Sequence, residues 1–219
     1  MSDALPYPAA RLQVALPGPG GALTVLRPAR PEAIIDALPE LDEDEKLPYW
    51  AELWPSSLGL AEALADGRVA VAGRSVTELG CGVGLVALAA ARAGARRVLA
   101  TDWYTECLAF AAGSAAENGL ELETRQVDWR SPPADAGAEV VLAADVLYER
   151  RNARAVADAL RALVLPGGFA VVADPGRTYQ KDLVAALDGW SCTRTAVAVV
   201  SPHVPRGGAE ITLLRFERS

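Results

Sequence analysis

Apolar residues along this chain recur in two rhythms. Runs of four to six mainly apolar or β-branched residues at 76–79, 97–101, 124–127, 139–144 and 169–173 have the length of strands buried in a parallel sheet. Stretches at 85–93, 104–117, 150–163 and 180–187 read as helices, the second closed by Asn118-Gly119 and the third near Gly167. Strands separated by helices call for right-handed crossovers, which predicts a doubly wound α/β sheet. Two further strands, 193–200 and 211–216, follow with no helix between them, and the ten residues joining them suit an antiparallel pair.

Before residue 48 the texture differs. Strand candidates at 11–15 and 22–27 flank Pro17-Gly-Pro-Gly-Gly21, and a short helix is expected over 31–38 with Pro31 in its first turn. The acidic run 40–45 reads as a solvated surface segment. The division expected is an N-terminal extension, 1–47, joined to one domain, 48–219.

Composition narrows the function. With 219 residues, 51% hydrophobic and 22% charged, the chain has the make-up of one globular α/β domain with a decorated terminus. Twenty-eight acidic against 21 basic side chains give a net charge of −7, the wrong sign for a protein that grips phosphate backbones, so no nucleic acid partner is expected. Three cysteines cannot all pair and His203 is the only histidine, which argues against a disulfide framework and a Cys-His metal site. Met1 to Pro6 lacks the features of a leader, and no stretch approaches the ~18 apolar residues of a membrane span. No membrane partner is expected, and a cytoplasmic location is.

Ligands of open parallel sheets settle outside the carboxyl ends of the strands. After the first strand stands Glu78-Leu-Gly-Cys-Gly-Val-Gly84, where Gly80, Gly82 and Gly84 leave backbone open to a ligand at a helix start. After the second stands Asp102 with Trp103, 22 residues past Gly80, the spacing at which a carboxylate accepts hydrogen bonds from ribose hydroxyls. The third strand ends in Asp128-Trp129, an acceptor beside an aromatic wall that suits an adenine. The fourth ends at Ala144 before Asp145-Val-Leu-Tyr148, and the fifth at Asp174-Pro-Gly-Arg177. Gly82-Val-Gly84-Leu-Val-Ala87 also satisfies a dinucleotide fingerprint, so a nicotinamide-dependent oxidoreductase stays in view. Glu78 directly before the glycines, where the amino acid end of a methyl donor can be held, the carboxylates after the strands and the final antiparallel pair favour S-adenosylmethionine instead.

The motifs carry a resemblance. Residues 78–84 and Asp102 resemble the donor motifs of the seven-strand S-adenosylmethionine methyltransferases. Pro48-Tyr-Trp-Ala-Glu-Leu-Trp-Pro55, Asp145-Val-Leu-Tyr148 and Asp174-Pro-Gly-Arg177 are similar to methyltransferase family 16, lysine methyltransferases, nearest the branch that modifies the electron transfer flavoprotein β subunit. The similarity covers about residues 47–190 and departs at Ser56-Ser57, where that branch has a glycine pair. It implies a Rossmann-like class I methyltransferase fold, seven strands with an antiparallel last strand, and methylation of a lysine on a protein, the β subunit being the first candidate. Donor contacts are then expected from Trp54, Glu78, Gly80, Gly82, Gly84, Asp102, Trp103, Asp128, Trp129 and Ala144, and substrate contacts from Trp50, Asp174 and Arg177.

Bland readings stand beside these. Trp50 and Trp54, four apart, also suit a core face if their segment is helical, with Ser56-Ser57 capping the next helix. Asp128 and Asp145 also suit helix caps, Arg177 a partner for Asp174, Cys81 a small filler, and Arg150, Arg151 and Arg154 a solvated helix face. In the catalytic reading Asp145 captures and orients the target ammonium, and Tyr148, one helical turn on, adds a ring face or hydroxyl. Competing functions are a methyltransferase of small amines or protein N-termini, and a non-catalytic donor-binding partner subunit.

Overall fold

A computed structural model describes residues 5–18, 20–36, 49–204 and 207–218. The chain opens with an antiparallel hairpin, β1 (Ala9–Ala15) and β2 (Ala22–Pro28), in which Ala15 pairs with Ala22 across the proline-glycine turn. α1 (Pro31–Asp36) follows. The last two residues expected for this helix, the acidic run and the boundary at 47/48 lie outside the described residues. A single 3-10 turn, Tyr49–Ala51, leads into α2 (Pro55–Ala65). The chain then runs β3 (Ser75–Leu79), α3 (Leu85–Arg92), β4 (Arg97–Asp102), α4 (Thr105–Glu117), β5 (Glu123–Gln126) and β6 (Ala138–Ala144). It ends with α5 (Arg150–Leu163), β7 (Val164–Asp174), α6 (Gln180–Ala186), β8 (Trp190–Val200) and β9 (Gly208–Arg218).

Seven of these strands form one sheet in the order β5-β4-β3-β6-β7-β9-β8. β3 to β7 are parallel, and β9 runs antiparallel to both of its neighbours, as the last two strand patterns led one to expect. The order reverses at β3, whose two neighbours are β4 and β6, so the crevice of a doubly wound sheet opens above the ends of these three strands.

Alternation along the strands divides the core. Val140 and Leu142 face the layer of α2, α3 and α4, whereas Val141 and Ala143 face α5. α5 turns Ala153, Val156, Ala157, Leu160 and Leu163 inward and leaves Arg150 and Arg154 exposed, as its helical spacing predicts. Among the described residues, no helix is long and apolar enough to cross a membrane.

The crossover from β5 to β6, where no helix was expected, contains only a 3-10 turn at Ala134–Ala136, because Pro132 and Pro133 bar helical hydrogen bonding there. One local expectation is corrected. β7 begins at Val164 directly after α5 rather than at 169. A register shift between Ala138 and Val140 accommodates the extra residues. Gly168 makes this possible, since a Cβ there would lie 2.3 Å from the Glu139 carbonyl oxygen.

The hairpin is seated on α3 and α4. Backbone N–H groups of Thr24 and Leu26 have no strand partner on that side, and donate to Asn118 Oδ1 (3.0 Å) and Ser114 Oγ (2.8 Å). Asn118 Nδ2 returns a bond to the Thr24 carbonyl at 2.7 Å, and Arg92 donates to the carbonyls of Gly20, Gly21 and Ala22. Asn118, a stop signal in sequence, thus also anchors the extension, and Val14, Leu23, Val25 and Leu26 join the same core as α3.

Candidate active site

The turn after β3 folds tightly, with Gly80, Gly82 and Gly84 all at positive φ (68°, 50° and 89°). These glycines make room for protein first. A Cβ on Gly80 would sit 3.0 Å from the Trp129 ring, one on Gly82 3.1 Å from the Trp50 carbonyl oxygen, and one on Gly84 2.7 Å from the Ala111 Cβ in α4. Gly80 and Gly82 line a cleft of about 630 Å³ over the switch point. Gly84, also expected at the ligand, lies outside that lining.

Glu78, fully buried at the end of β3, accepts the Ala87 N–H at 2.8 Å and so caps the first turn of α3 from across the turn. It also borders the cleft. Burial pushes its carboxyl well above the usual range, with the Asp102 charge adding to the rise. Asp102, at the end of β4, accepts the Gly82 N–H (2.9 Å) through Oδ2 and the Tyr104 N–H (3.1 Å) through Oδ1. Burial raises its pKa too, against the pull of these backbone donors. A carboxylate offers about four acceptor positions in all, and the Cys107 thiol and the Trp103 N–H also bear on this one.

The outer wall is aromatic. Trp103 is 52% exposed, with the Arg130 guanidinium 5.2 Å from its ring centre, and Trp129 lies over Gly80. Asp128 is held by Arg130, whose Nε reaches both carboxylate oxygens (2.9 and 3.0 Å) and keeps its pKa low. Trp50 and Trp54 do not share a helix face. Trp50 is 7% exposed in the 3-10 turn, packed against Tyr7, Tyr104 and Phe110, while Trp54 is the N-cap of α2 and donates Nε1–H to the Tyr49 carbonyl at 2.8 Å. Ser56 and Ser57 do not cap α2 by accepting its N–H groups, because both hydroxyls donate elsewhere, Ser57 to the Trp54 carbonyl and Ser56 to Asp145.

Asp145 follows Ala144 at the end of β6, is 6% exposed, and carries the only positive φ (60°) of any described residue other than glycine. Its Oδ1 takes the Arg177 guanidinium at 2.5 Å and its Oδ2 the Ser56 hydroxyl at 3.2 Å. Burial raises its pKa, against the pull of the Arg177 guanidinium and the Ser56 hydroxyl. Asp145 is not the cap of α5, a position filled by Glu149. Tyr148 stands in the loop before that helix rather than a helical turn beyond Asp145. It is 39% exposed, its ring centre is 5.5 Å from that of Tyr49, and burial pushes its hydroxyl up to about 12. The sequence reading missed Tyr49, although it belongs to the tryptophan motif, because nothing local indicates that its ring meets Tyr148.

Arg177 reaches the cleft and pairs with Asp145, not with Asp174. Asp174 is a further correction. Wholly buried, it does not line the cleft, and its Oδ1 accepts the N–H groups of Gly176 and Arg177 and the Gln180 amide, which shapes the turn that delivers Arg177. Cys81 and Cys107 approach Asp102, the three ligand atoms lying within 4.8 Å of one another, a grouping the sequence did not suggest. Both thiols are pushed up, Cys81 by its bond with Cys107 and by burial, and Cys107 by burial to about 11.

The acidic lining tests which ligand fits. Glu78 and Asp102 are buried and, among the described residues, neither has a cationic partner, whereas Asp128, Glu149 and Asp145 are each tied to an arginine. A cationic sulfonium or ammonium relieves such a site, and the pyrophosphate of a dinucleotide aggravates it. The sheet order and its antiparallel last strand are those of the Rossmann-like methyltransferase fold. Residues 76–168 match the family described as a methyltransferase domain. The electron transfer flavoprotein β subunit lysine methyltransferase of Xenopus laevis is 33% identical over 142 residues, 59% of this chain and 53% of that protein. The ribosomal protein L11 methyltransferase of Xanthomonas campestris pv. campestris is 30% identical over 129 residues, 59% of this chain and 40% of that one. The chain thus spans about half the length, or less, of these relatives. In structure it is similar to a Pyrococcus horikoshii protein described as a putative RNA methyltransferase, with a TM-score of 0.60 at 15% identity, covering 87% of this chain and 96% of the other.

Proposed function

We propose that this chain methylates a lysine side chain on a protein, with S-adenosylmethionine as donor. Relatives named for lysine methylation support the substrate class. The observation that carries the reading is one cleft bordered by Glu78 and Asp102 on one side of the switch point and by Asp145 and Tyr148 on the other. In this reading residues 48–219 are the methyltransferase domain and 1–47 an extension. The free thiols of Cys81, Cys107 and Cys192 suit a cytoplasmic location.

When bound, the donor supplies an electrophilic methyl group on a sulfonium. Asp102, oriented by the Gly82 and Tyr104 N–H groups, holds its ribose, and Glu78 attracts its amino acid end. Asp128 offers an acceptor and Trp129 and Trp103 ring faces to the base, with Ala144 and Trp54 completing the wall. Asp145 and Tyr148 orient the target amine. Tyr49, whose ring meets those of both Trp54 (5.9 Å) and Tyr148, narrows the entrance and helps exclude water.

Donor binding is the first expectation. At about a hundred times its Kd a ligand adds roughly 2.7 kcal/mol of stability, about 5 to 10 °C in Tm for a chain of this size. S-adenosylmethionine and its demethylated product should both produce that shift, and NAD should not. Asp102→Asn keeps a backbone acceptor yet loses the charge, so it should lose most of the shift. Stabilisation by NAD with none by the donor counts against the reading.

The substrate is tested with labelled donor. Incubation with the electron transfer flavoprotein β subunit first, and ribosomal protein L11 second, should add one CH2 of mass per transfer, located on lysine by peptide mass spectrometry. An acidic enzyme has no electrostatic footprint for RNA. Label found only in RNA or in small molecules overturns the proposal.

A further inference from the structure

The carboxylate expected to seize the target ammonium already holds a cation of the chain's own. Asp145 is bound through Oδ1 by the Arg177 guanidinium and through Oδ2 by the Ser56 hydroxyl. The turn that presents Arg177 is itself held, the buried Asp174 Oδ1 accepting from the N–H groups of Gly176 and Arg177 and from the Gln180 amide. Asp145 also keeps a positive φ of 60°, a conformation L residues rarely adopt.

Lysine attacks a methyl group only through a free lone pair, and with a pKa of about 10.4 roughly one lysine in a thousand is neutral near pH 7.4. A bare carboxylate beside the amine worsens this, since an opposite charge within about 4 to 6 Å stabilises the ammonium by one to three pKa units. A carboxylate whose charge is cancelled still accepts a hydrogen bond and does not have this effect.

Building on the lysine reading above, we propose that Arg177 is a charge-positioning residue: its guanidinium neutralises Asp145, so that the site receives the target lysine as a neutral amine whose N–H donates to the carboxylate and whose lone pair stays free. The proton leaves to water before transfer, and the amine nitrogen then forms its bond to carbon as the sulfonium bond breaks and takes that electron pair to sulfur. The groups bearing on Asp145 are Arg177 and Asp174 from the end of β7 and Ser56 from α2. Tyr148, from its own loop, is pushed up to about 12 and stays neutral through the working range.

The test is the single-turnover methylation rate against pH at saturating enzyme and donor, which reports ionisation in the complex. In Arg177→Gln the acid limb should move to higher pH by about one unit or more, with substrate bound at least as tightly and donor Kd by calorimetry unchanged. Arg177→Lys, which restores the cation, should return the limb to the wild-type position. Ser56→Ala, a mild change that removes the other donor, should move it in the same upward direction by less. Rates that fall in Arg177→Gln and Ser56→Ala with the midpoint fixed overturn the proposal and leave Arg177 a structural brace. A wild-type chain that methylates no lysine in any substrate tried overturns the lysine reading itself, and the proposal with it.

Discussion

Asp145→Asn should reduce methyl transfer by about 30- to 1,000-fold, the effect of losing a transition-state contact worth ~2 to 4 kcal/mol, while donor affinity stays near wild type. Asparagine tolerates the left-handed backbone at this position nearly as well as aspartate, so the φ of 60° is not itself disturbed. What changes is charge. Arg177 loses its counter-ion and becomes an uncompensated cation facing the incoming amine, and one carboxylate oxygen is replaced by a donor that cannot accept from it. The donor contacts assigned to Glu78 and Asp102 belong to β3 and β4 and are left alone. Steady-state turnover and donor calorimetry on the same preparation separate the two effects. Methylation at the wild-type rate in a merely less stable protein would reduce Asp145 to a structural anchor for Arg177.

Gly84→Ala should cost about 2 to 5 kcal/mol of stability and, in a marginally stable domain, leave little folded protein at 37 °C. An L side chain at φ 89° pays about 1 to 2 kcal/mol for the left-handed backbone. The new methyl would also lie 2.7 Å from the Cβ of Ala111, which is wholly buried in α4, and such overpacking costs about 1 to 3 kcal/mol more. Gly119→Ala is the matched control, with φ 63° and nothing within 4 Å of its Cβ, so it should show the backbone cost alone. Urea midpoints of the two variants measure the difference. Equal losses would mean that α4 yields to the added methyl.

These two residues illustrate what could be read without coordinates. Gly84 was recognisable as a required glycine from its place in the turn, and the structure adds a reason the sequence did not show, since the missing side chain admits α4. Asp145 was recognisable as the polar end of an apolar strand, and its partner was not. Local pattern suggested Asp174 for Arg177, three residues away, whereas the turn built on Asp174 swings the guanidinium back across the sheet to Asp145, 32 residues earlier. Tyr49 was similarly invisible, because its role lies in a ring contact with Tyr148, far along the chain.

By itself the sequence determined the strand and helix order, the parallel sheet with its antiparallel finish, and the placing of Glu78 and Asp102 at the ends of neighbouring strands. Each of these follows from side-chain periodicity and from glycine and carboxylate spacing within a short stretch of chain. Only the tertiary structure decided which charges meet, which glycines serve packing, and where the hairpin sits. Those depend on distances between segments remote in sequence, and a carboxylate's charge state is set by whichever cation the fold brings to it.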